Sequence, residues 1–350
     1  MNLVASFTSE QSAPPIEQLG APLLATRNAR TFDFARGEVA DSEWISGGNP
    51  DPRAEKRRTV RFGLNAKPLA GTDLTVSADY VSTRINEPIV EFPLVTPAIE
   101  GAFPERFTRG ANGQLLQIDG RPLNFAKSAR KHLRWGASYV RPIGAVEPWL
   151  KSTPMRTYSN EAEARAAAAP GTMVAMVQPG TAMARRLENL SSRLYFSLYH
   201  IWQLQDDVLL RDGLPVLDLL DGSAIDLLGG TRRHRVEAQA GIFNKGLGAR
   251  ATLDWQSGTR VRGAGGKAGD LAFSDRTAVN IQLFANLADR FGGTEAPDWL
   301  KGTRLTFAIT NLFNTRFRVR DRAGATPLSY QPTFLDPIGR SVSLGLRKIF

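Results

Sequence analysis

The chain has 350 residues, no cysteine, and 44 Lys plus Arg against 34 Asp plus Glu for a formal charge of +10, so disulfides and thiolate metal sites are excluded outright. The basic residues are scattered singly or in short runs such as Lys56-Arg57-Arg58 and Arg232-Arg233, a pattern of solvated surface rather than of a nucleic-acid groove. No stretch reaches the ~18 consecutive apolar residues of a membrane helix, but a membrane barrel, whose strands alternate, is not excluded on that ground.

In chain order, Met1-Asn2-Leu3-Val4 runs directly into strand-like alternation near 2–9, with no charged, apolar and cleavage regions of an export signal. A second strand is expected near 57–67, where Val60, Phe62, Leu64 and Ala66 share one face and Thr59, Arg61, Gly63 and Asn65 the other. A third, near 73–84, sets Leu74, Val76, Ala78 and Tyr80 against Thr75, Ser77 and Asp79, and the short connection Pro68 to Thr72 makes the two an antiparallel pair. Near 125–141, Leu133, Trp135, Ala137 and Tyr139 oppose Arg134, Gly136 and Ser138. Further strands are expected near 188–204, 231–244, 248–258, 271–287, 303–312 and 338–350, about ten in all. Among them Val236, Ala238, Ala240 and Ile242 oppose Glu237, Gln239 and Gly241; Ala249, Ala251, Leu253 and Trp255 oppose Arg250, Thr252, Asp254 and Gln256; Val279, Ile281, Leu283 and Ala285 oppose Asn280, Gln282 and Asn286.

This alternation is all-β and antiparallel, and it fits two architectures. A soluble sandwich alternates apolar-in with polar-out, and a transmembrane barrel alternates lipid-facing with lumen-facing residues. Connection lengths separate them. Pro68 to Thr72 and Lys245 to Gly248 are tight, whereas Gln11 to Lys56, Ile85 to Leu123, Asp206 to Gly230 and Phe313 to Pro337 are long and rich in Gly, Pro and Asp. Long loops count against a compact soluble domain and are expected outside a barrel. With a first strand running outward, the tight turns fall on one side and the last strand returns to the periplasm. Tyr158 to Arg186, with the run Ala164 to Ala169, falls on the short-turn side and reads as a polar, disordered insertion. Tyr139, Trp202, Trp255 and Phe350 near strand ends suit interfacial girdles, though sandwich packing would suit them equally.

Chemistry-bearing residues are sparse. His132, His200 and His234 have no second ligand at useful spacing, which predicts structural roles rather than zinc or acid–base work. Gly263-Ala264-Gly265-Gly266-Lys267 resembles a phosphate loop but has Val261 where Gly and Ala268 where Ser or Thr is required. Asp206, Asp207, Asp218 and Asp221 read as solvated loop charge, and no Ser has a His and Asp constellation. Arg316, Arg318, Arg320 and Arg322 alternate along an apparent strand extension, a row suited to an anionic ligand or to a solvated or lipopolysaccharide-facing loop. No enzyme activity and no cofactor are expected.

The order of several short motifs carries a resemblance. Asn311-Leu312-Phe313-Asn314, then Tyr330-Gln331-Pro332, then Gly339-Arg340-Ser341-Val342, and the end Leu344-Gly345-Leu346-Arg347-Lys348-Ile349-Phe350 resemble the C-terminus of TonB-dependent outer-membrane receptors. Gly48-Asn49-Pro50-Asp51 followed by Arg53-Ala54-Glu55 is similar to a segment before a returning strand in that family, with Pro52 in place of Leu. Leu198-Tyr199-His200-Ile201-Trp202 and Pro215 to Gly222 resemble an α-proteobacterial branch. The resemblance implies the C-terminal part of a barrel of about 22 strands, large enough to hold a plug. The whole of 1–350 is then barrel; plug, signal peptide and TonB box would lie upstream, and Met1 would be an internal or mis-assigned start. It implies active uptake of a scarce solute such as a siderophore, vitamin or glycan, with contact to the TonB complex only through that upstream region. Outer-membrane lipid, lipopolysaccharide and the barrel-assembly machinery are the expected partners, the last reading Val342, Leu344, Leu346 and Phe350 on the closing strand. Lys348 stands in that row where the family usually has an aromatic, and its ammonium is expected to snorkel to the interface. A passive porin-like channel and a soluble basic β-protein that binds nucleic acid or glycan are the alternatives.

Overall fold

The structure, a computed structural model, describes residues 1–33, 36, 38–143, 165, 192–226, 229–263, 270–291, 296–331 and 338–349. Its frame is one antiparallel sheet of ten long strands in strict chain order. These are β1 (Asn2–Ser12), β2 (Glu55–Ala66), β3 (Asp73–Asn86), β4 (Lys127–Pro142), β5 (Arg193–Leu209), β6 (His234–Asn244), β7 (Leu247–Gln256), β8 (Arg276–Asn286), β9 (Thr303–Thr310) and β10 (Ser341–Lys348). Among the described residues β1 and β10 do not pair with each other, so the sheet is open at both edges. No helix is long and apolar enough to cross a membrane, which says nothing of strands.

Register decides what the alternation means. Phe62 pairs with Ala5 on one side and Tyr80 on the other, Tyr80 with Leu133, and Leu133 with Trp202. One step along, Trp135 pairs with Ala78 and His200, and Ala137 with Val76 and Leu198. Leu198 then meets Ala238, Ala238 meets Leu253, and Leu253 meets Val279. Ile281 pairs with Ile309, which pairs with Val342. Because side chains alternate strictly across a pleated sheet, these chains of partners put one unbroken apolar face across all ten strands. A slip of one residue at any strand would interrupt it.

That face is bare. Leu3, Phe7, Phe62, Trp135, Leu198, Leu283 and Leu344 are all exposed, Leu3 and Leu344 to 70% and 72%. Among the described residues no buried apolar side chain comes from the middle of a wall strand, so no second sheet covers it. The buried core lies at the end of the sheet where the long connections gather, here the loop end. It comprises Val95, Ile99, Phe103, Phe107, Leu115, Ile118, Leu123 and Phe125 with Val208, Leu210 and Leu219, and Trp44 and Phe92 packed against them. Phe103 and Phe125 stack at 6.1 Å between centroids, and each such side chain contributes about 1.5–3 kcal/mol on burial. Within this cap a hairpin, Leu24–Asp33 with Glu38–Ser46, takes Leu115–Asp119 as a parallel third strand. The short helix Pro97–Ala102 is started by Thr96, whose Oγ1 accepts the Ile99 amide at 3.3 Å, and it buries Ile99 and Ala102.

The opposite end holds the tight turns. Between Asn244 and Leu247 only Lys245 and Gly246 intervene, with φ of 44° and 78°. Positive φ at both central residues is the two-residue turn whose twist matches a hairpin, and Gly246 supplies the second position without strain.

Several boundaries differ from the sequence expectation. The strand expected near 188–204 runs Arg193–Leu209, so Asp206 and Asp207 belong to the wall and not to a loop. The segment expected as one strand near 271–287 is two: Leu271–Phe273 joins a small sheet in the cap, and β8 starts at Arg276. The closing strand is Ser341–Lys348 rather than 338–350. In each case cross-strand partners set the end, and these are remote in sequence. The expected insertion Tyr158 to Arg186 lies outside the described residues apart from Arg165, as do Phe350 and most of the Gly263 to Lys267 run.

Candidate functional site

The second face of the sheet is polar and internally paired. Arg61 lies 2.6 Å from Asp79, and Arg235 bonds Asp254 through Nε at 2.7 Å while reaching Glu237 at 3.3 Å. Arg250 donates to Gln239 at 3.0 Å, and Asn280 donates to Thr252 Oγ1 at 3.1 Å. Aromatic side chains interrupt the charges. The Arg134 guanidinium sits 3.7 Å over the Tyr199 ring and Arg304 sits 4.2 Å over Phe284, itself stacked on Phe243 at 5.9 Å. Gly136 and Gly248 make room for this: a Cβ on Gly136 would lie 2.6 Å from Tyr199 Cδ1, and one on Gly248 would lie 2.1 Å from Phe284 Cζ. Each ring lies flat across the neighbouring strand where a side chain would otherwise stand.

At the loop end this face meets a basic mouth. Arg232 and Arg276 both stack on Phe317, at 4.5 and 4.8 Å from the ring centre. Arg232 also donates through Nη1 to the carbonyls of Ser257 and Ser274, at 2.7 and 3.3 Å. Burial, then the charge of Arg276, pushes the Arg232 guanidinium below its ordinary range, and Asp275 opposes the shift. Of Arg316, Arg318, Arg320 and Arg322, only Arg320 lies on a strand, Val319–Asp321 of the cap's small sheet; Arg316 and Arg318 precede it in irregular chain and Arg322 follows it in a turn, so the four do not extend the wall. Val319–Asp321 pairs there with Leu271–Phe273, and Val319 is fully buried between exposed Arg318 and Arg320. Arg320 is tied to its own turn through Gly324 O at 3.1 Å and Thr326 Oγ1 at 3.0 Å. Sequence spacing finds the row; it misses Arg232 and Arg276, which only the fold brings to Phe317.

The cap is locked by one saturated guanidinium. Arg109 grips Asp33 with two hydrogen bonds of 2.8 and 2.9 Å and Glu100 with two of 2.9 and 2.5 Å, and it donates to Gly113 O at 2.9 Å. The Asp33 side chain is fully buried. The hydrogen bond to Asp33, and then Glu100, raise the Arg109 pKa further, so the guanidinium stays charged. A second cluster joins Arg106 and Arg121 on Asp119, at 2.8 and 2.7 Å. Burial alone would raise the Asp119 carboxyl, but hydrogen bonds from Arg121 and the charge of Arg106 hold it below the usual range.

The recognisable motifs acquire physical roles here. Asn49 is buried, donates to Pro122 O at 2.8 Å and accepts the Asp51 amide at 3.1 Å, which pins the segment before β2 to the cap. Asn311 and Asn314 both take left-handed backbone, φ 54° and 52°, which Asn tolerates better than most residues. Asn311 bonds the Thr315 amide and carbonyl at 2.9 and 2.8 Å, while Asn314 accepts the Arg340 amide at 3.0 Å. The strand following this turn is thereby held in register with β9.

The remaining sequence candidates separate. Asp206 is buried against Arg130 and Thr231, at 3.0 and 2.6 Å, so it is wall structure and not solvated loop charge. Asp218 caps the Leu220 amide at 2.8 Å and Asp221 pairs with Arg262 at 2.8 Å. His200 Nε2 and His234 Nδ1 lie 3.2 Å apart, a contact that their spacing in the sequence does not show. Cross-strand register, invisible in the spacing, brings them together between Trp135 and Trp202 on the apolar face. Among the described residues no third ligand joins them. Val342, Leu344 and Leu346 occupy the apolar face of β10 and are exposed. Lys348 Nζ caps the carbonyls of Asp298, Trp299 and Lys301 at 2.8, 3.2 and 2.5 Å, at the turn end.

No protein-family model matches the chain, and no curated protein does. Among solved structures, the ferric enterobactin receptor PfeA from Pseudomonas aeruginosa is similar at 15% identity with a TM-score of 0.49, over 98% of this chain and 37% of that one. The siderophore receptor PirA from Acinetobacter baumannii is similar at 12% identity with a TM-score of 0.47, over 98% of this chain and 38% of that one. The chain thus spans less than two-fifths of the length of either.

Proposed function

We propose that the chain is the C-terminal part of the wall of an outer-membrane β-barrel, of the TonB-dependent receptor type, that takes up a scarce solute. The observation that carries this reading is the pairing of an uncovered apolar face with a charged, internally bonded face on one ten-stranded sheet. Water cannot solvate the first face cheaply, and lipid cannot accept the second; a wall between lipid and an aqueous lumen satisfies both. Eight of the ten strands, at 10 to 17 residues, are long enough to cross. The loop end is then extracellular and the turn end periplasmic. Trp202 and His234 fall toward the outer interface, and exposed Trp299 beside Lys348 falls at the inner one.

The open edges support a larger barrel in which further strands pair with β1 and β10. In that barrel Val342, Leu344 and Leu346 would be the closing lipid-facing row offered to the assembly machinery. Coupling to TonB would fall to the plug and box segment of the whole receptor. Order of motifs favours this reading over a passive channel, and the arginine-lined mouth favours an anionic solute such as a ferric siderophore. Deleting the coding region for 1–350 is expected to abolish TonB-dependent uptake of one such solute. Residues 1–350 refolded in a planar bilayer are expected to show no steady pore. Steady ion conductance from the chain alone would establish the passive channel instead.

A further inference from the structure

The apolar face gives way, at the loop end of β2, β3 and β4, to cations. Register sets them on a grid: Gln11, Lys56, Asn86 and Lys127 form the outermost row, Ser9, Arg58, Arg84 and Ala129 the next, and Phe7, Val60, Ser82 and Lys131 the third. All these positions share the parity of Phe62, Tyr80 and Leu133, so Lys56, Arg58, Arg84, Lys127 and Lys131 project from the outer face of the wall. Strand spacing of about 4.8 Å and a same-face repeat of about 7 Å place the five within a patch of roughly 10 by 14 Å. Arg58 stands directly opposite Arg84, an arrangement that destabilises a sheet when nothing lies between the charges. None of the five has an ion pair or a side-chain hydrogen bond among the described residues, although neighbours on the other face, Arg57 and Arg61, are both paired. The acid of the outer face nearest to them, Asp207, lies opposite Ala129 and is bonded by Gln205. Immediately below, Phe62 and Tyr80 stack at 6.5 Å, the start of the apolar band.

We infer that this patch is a binding site for the phosphorylated headgroup of a glycolipid in the outer leaflet. The inference rests on the barrel reading, which makes the loop end the outer one. Two guanidiniums face to face can each give paired hydrogen bonds to one phosphate, and three ammonium groups supply point charges for a second. Acyl chains of the same molecule would run down the apolar rows beneath, so headgroup and chains are bound by one continuous surface. A free phosphate would use the charges and leave those rows unused, which is why a lipid source is assigned.

The test uses the whole receptor that carries residues 1–350, reconstituted into phosphatidylcholine vesicles that contain either bisphosphorylated lipid A or its dephosphorylated form, with lipid retention measured after detergent extraction. Wild type is expected to retain the bisphosphorylated lipid, and the R58Q/R84Q and K56Q/K127Q/K131Q variants to retain it about tenfold less. Dephosphorylated lipid should be held equally weakly by all three, and pyrophosphate should bind far more weakly than the lipid. Equal retention of both lipids by wild type, or equal retention of the bisphosphorylated lipid by all three proteins, overturns the inference, as does pyrophosphate binding as tight as the lipid. Heat-modifiable gel migration shared by the three proteins establishes that they fold alike. Failure of wild type to enter vesicles at all would overturn the barrel reading and this inference with it; insertion without headgroup discrimination overturns this inference alone.

Discussion

Leu198→Arg is expected to destabilise the membrane-inserted chain by about 2–4 kcal/mol and to deplete it from the carbonate-resistant membrane fraction. Ser197→Arg, one residue away, is expected to change neither by more than about 0.5 kcal/mol. The contrast follows from register alone. Leu198 lies in the middle of β5 on the apolar face, between Ala137 and Ala238, with no polar partner within a strand of either side. A guanidinium there has lipid around it and several residues of strand, at about 3.3 Å each, between it and either interface. Ser197 pairs with Ser138 and Gln239 on the face that already carries Arg134, Glu237 and Arg250. Membrane fractionation and denaturant unfolding of the two variants measure the difference. Equal loss for both would mean that the two faces are not different solvents. Loss of stability in L198R with the protein remaining in the soluble fraction would mean that the apolar face packs on protein.

The second large effect belongs to the cap. Arg109→Met leaves the buried Asp33 carboxylate and its neighbour Glu100 without their shared counter-ion. Removing one partner of a buried ion pair typically costs about 3–5 kcal/mol, because the charge left behind is stranded rather than because the pair itself was strong. The cap should therefore open, and limited proteolysis should cut between residues 13 and 54 and between 87 and 126, while the strand signal of the wall is kept. Pairing R109M with D33N removes the stranded charge and should restore part of the protease resistance. Resistance unchanged in R109M would show that the hydrophobic cluster around Ile99, Leu115 and Phe125 holds the cap unaided.

Much of the wall is legible in the sequence because its physics is local. Val60, Phe62 and Leu64, or Val236, Ala238 and Ala240, alternate with polar residues at period two whatever their partners are. What alternation alone leaves open is the solvent of each face, since a sandwich core reads identically. Only the register shows the apolar rows running from Leu3 to Leu346 without a cover. Strand ends were less legible. Asp206 looks like loop chemistry by composition, yet β5 carries it inward against Arg130 and Thr231. The cap was nearly silent: Asp33 and Arg109 are 76 residues apart, and nothing in either neighbourhood marks them as partners. The same holds for His200 and His234, which look solitary at a spacing of 34 and meet only through the β5–β6 register. The Asn311 to Asn314 turn is the opposite case. Its residue types already favour positive φ, and the structure supplies the hydrogen bonds that use it.

The basic mouth lies between these extremes. Arg316, Arg318, Arg320 and Arg322 alternate in the sequence, but only Arg320 falls on a strand, that of the cap's own small sheet, and the two arginines stacked on Phe317 are Arg232 and Arg276, far upstream.

The reading of the sheet as a membrane wall stands or falls on what each face of a strand touches. Spin labels placed singly at Leu194, Phe196, Leu198 and His200, and at Tyr195, Ser197, Tyr199 and Ile201, would report this in vesicles. The first four should be accessible to oxygen dissolved in lipid and shielded from a water-soluble paramagnetic reagent, and the second four should show the reverse. Accessibility that fails to alternate, or water-soluble reagent reaching the Leu198 series as readily as the Ser197 series, would contradict a lipid-facing wall.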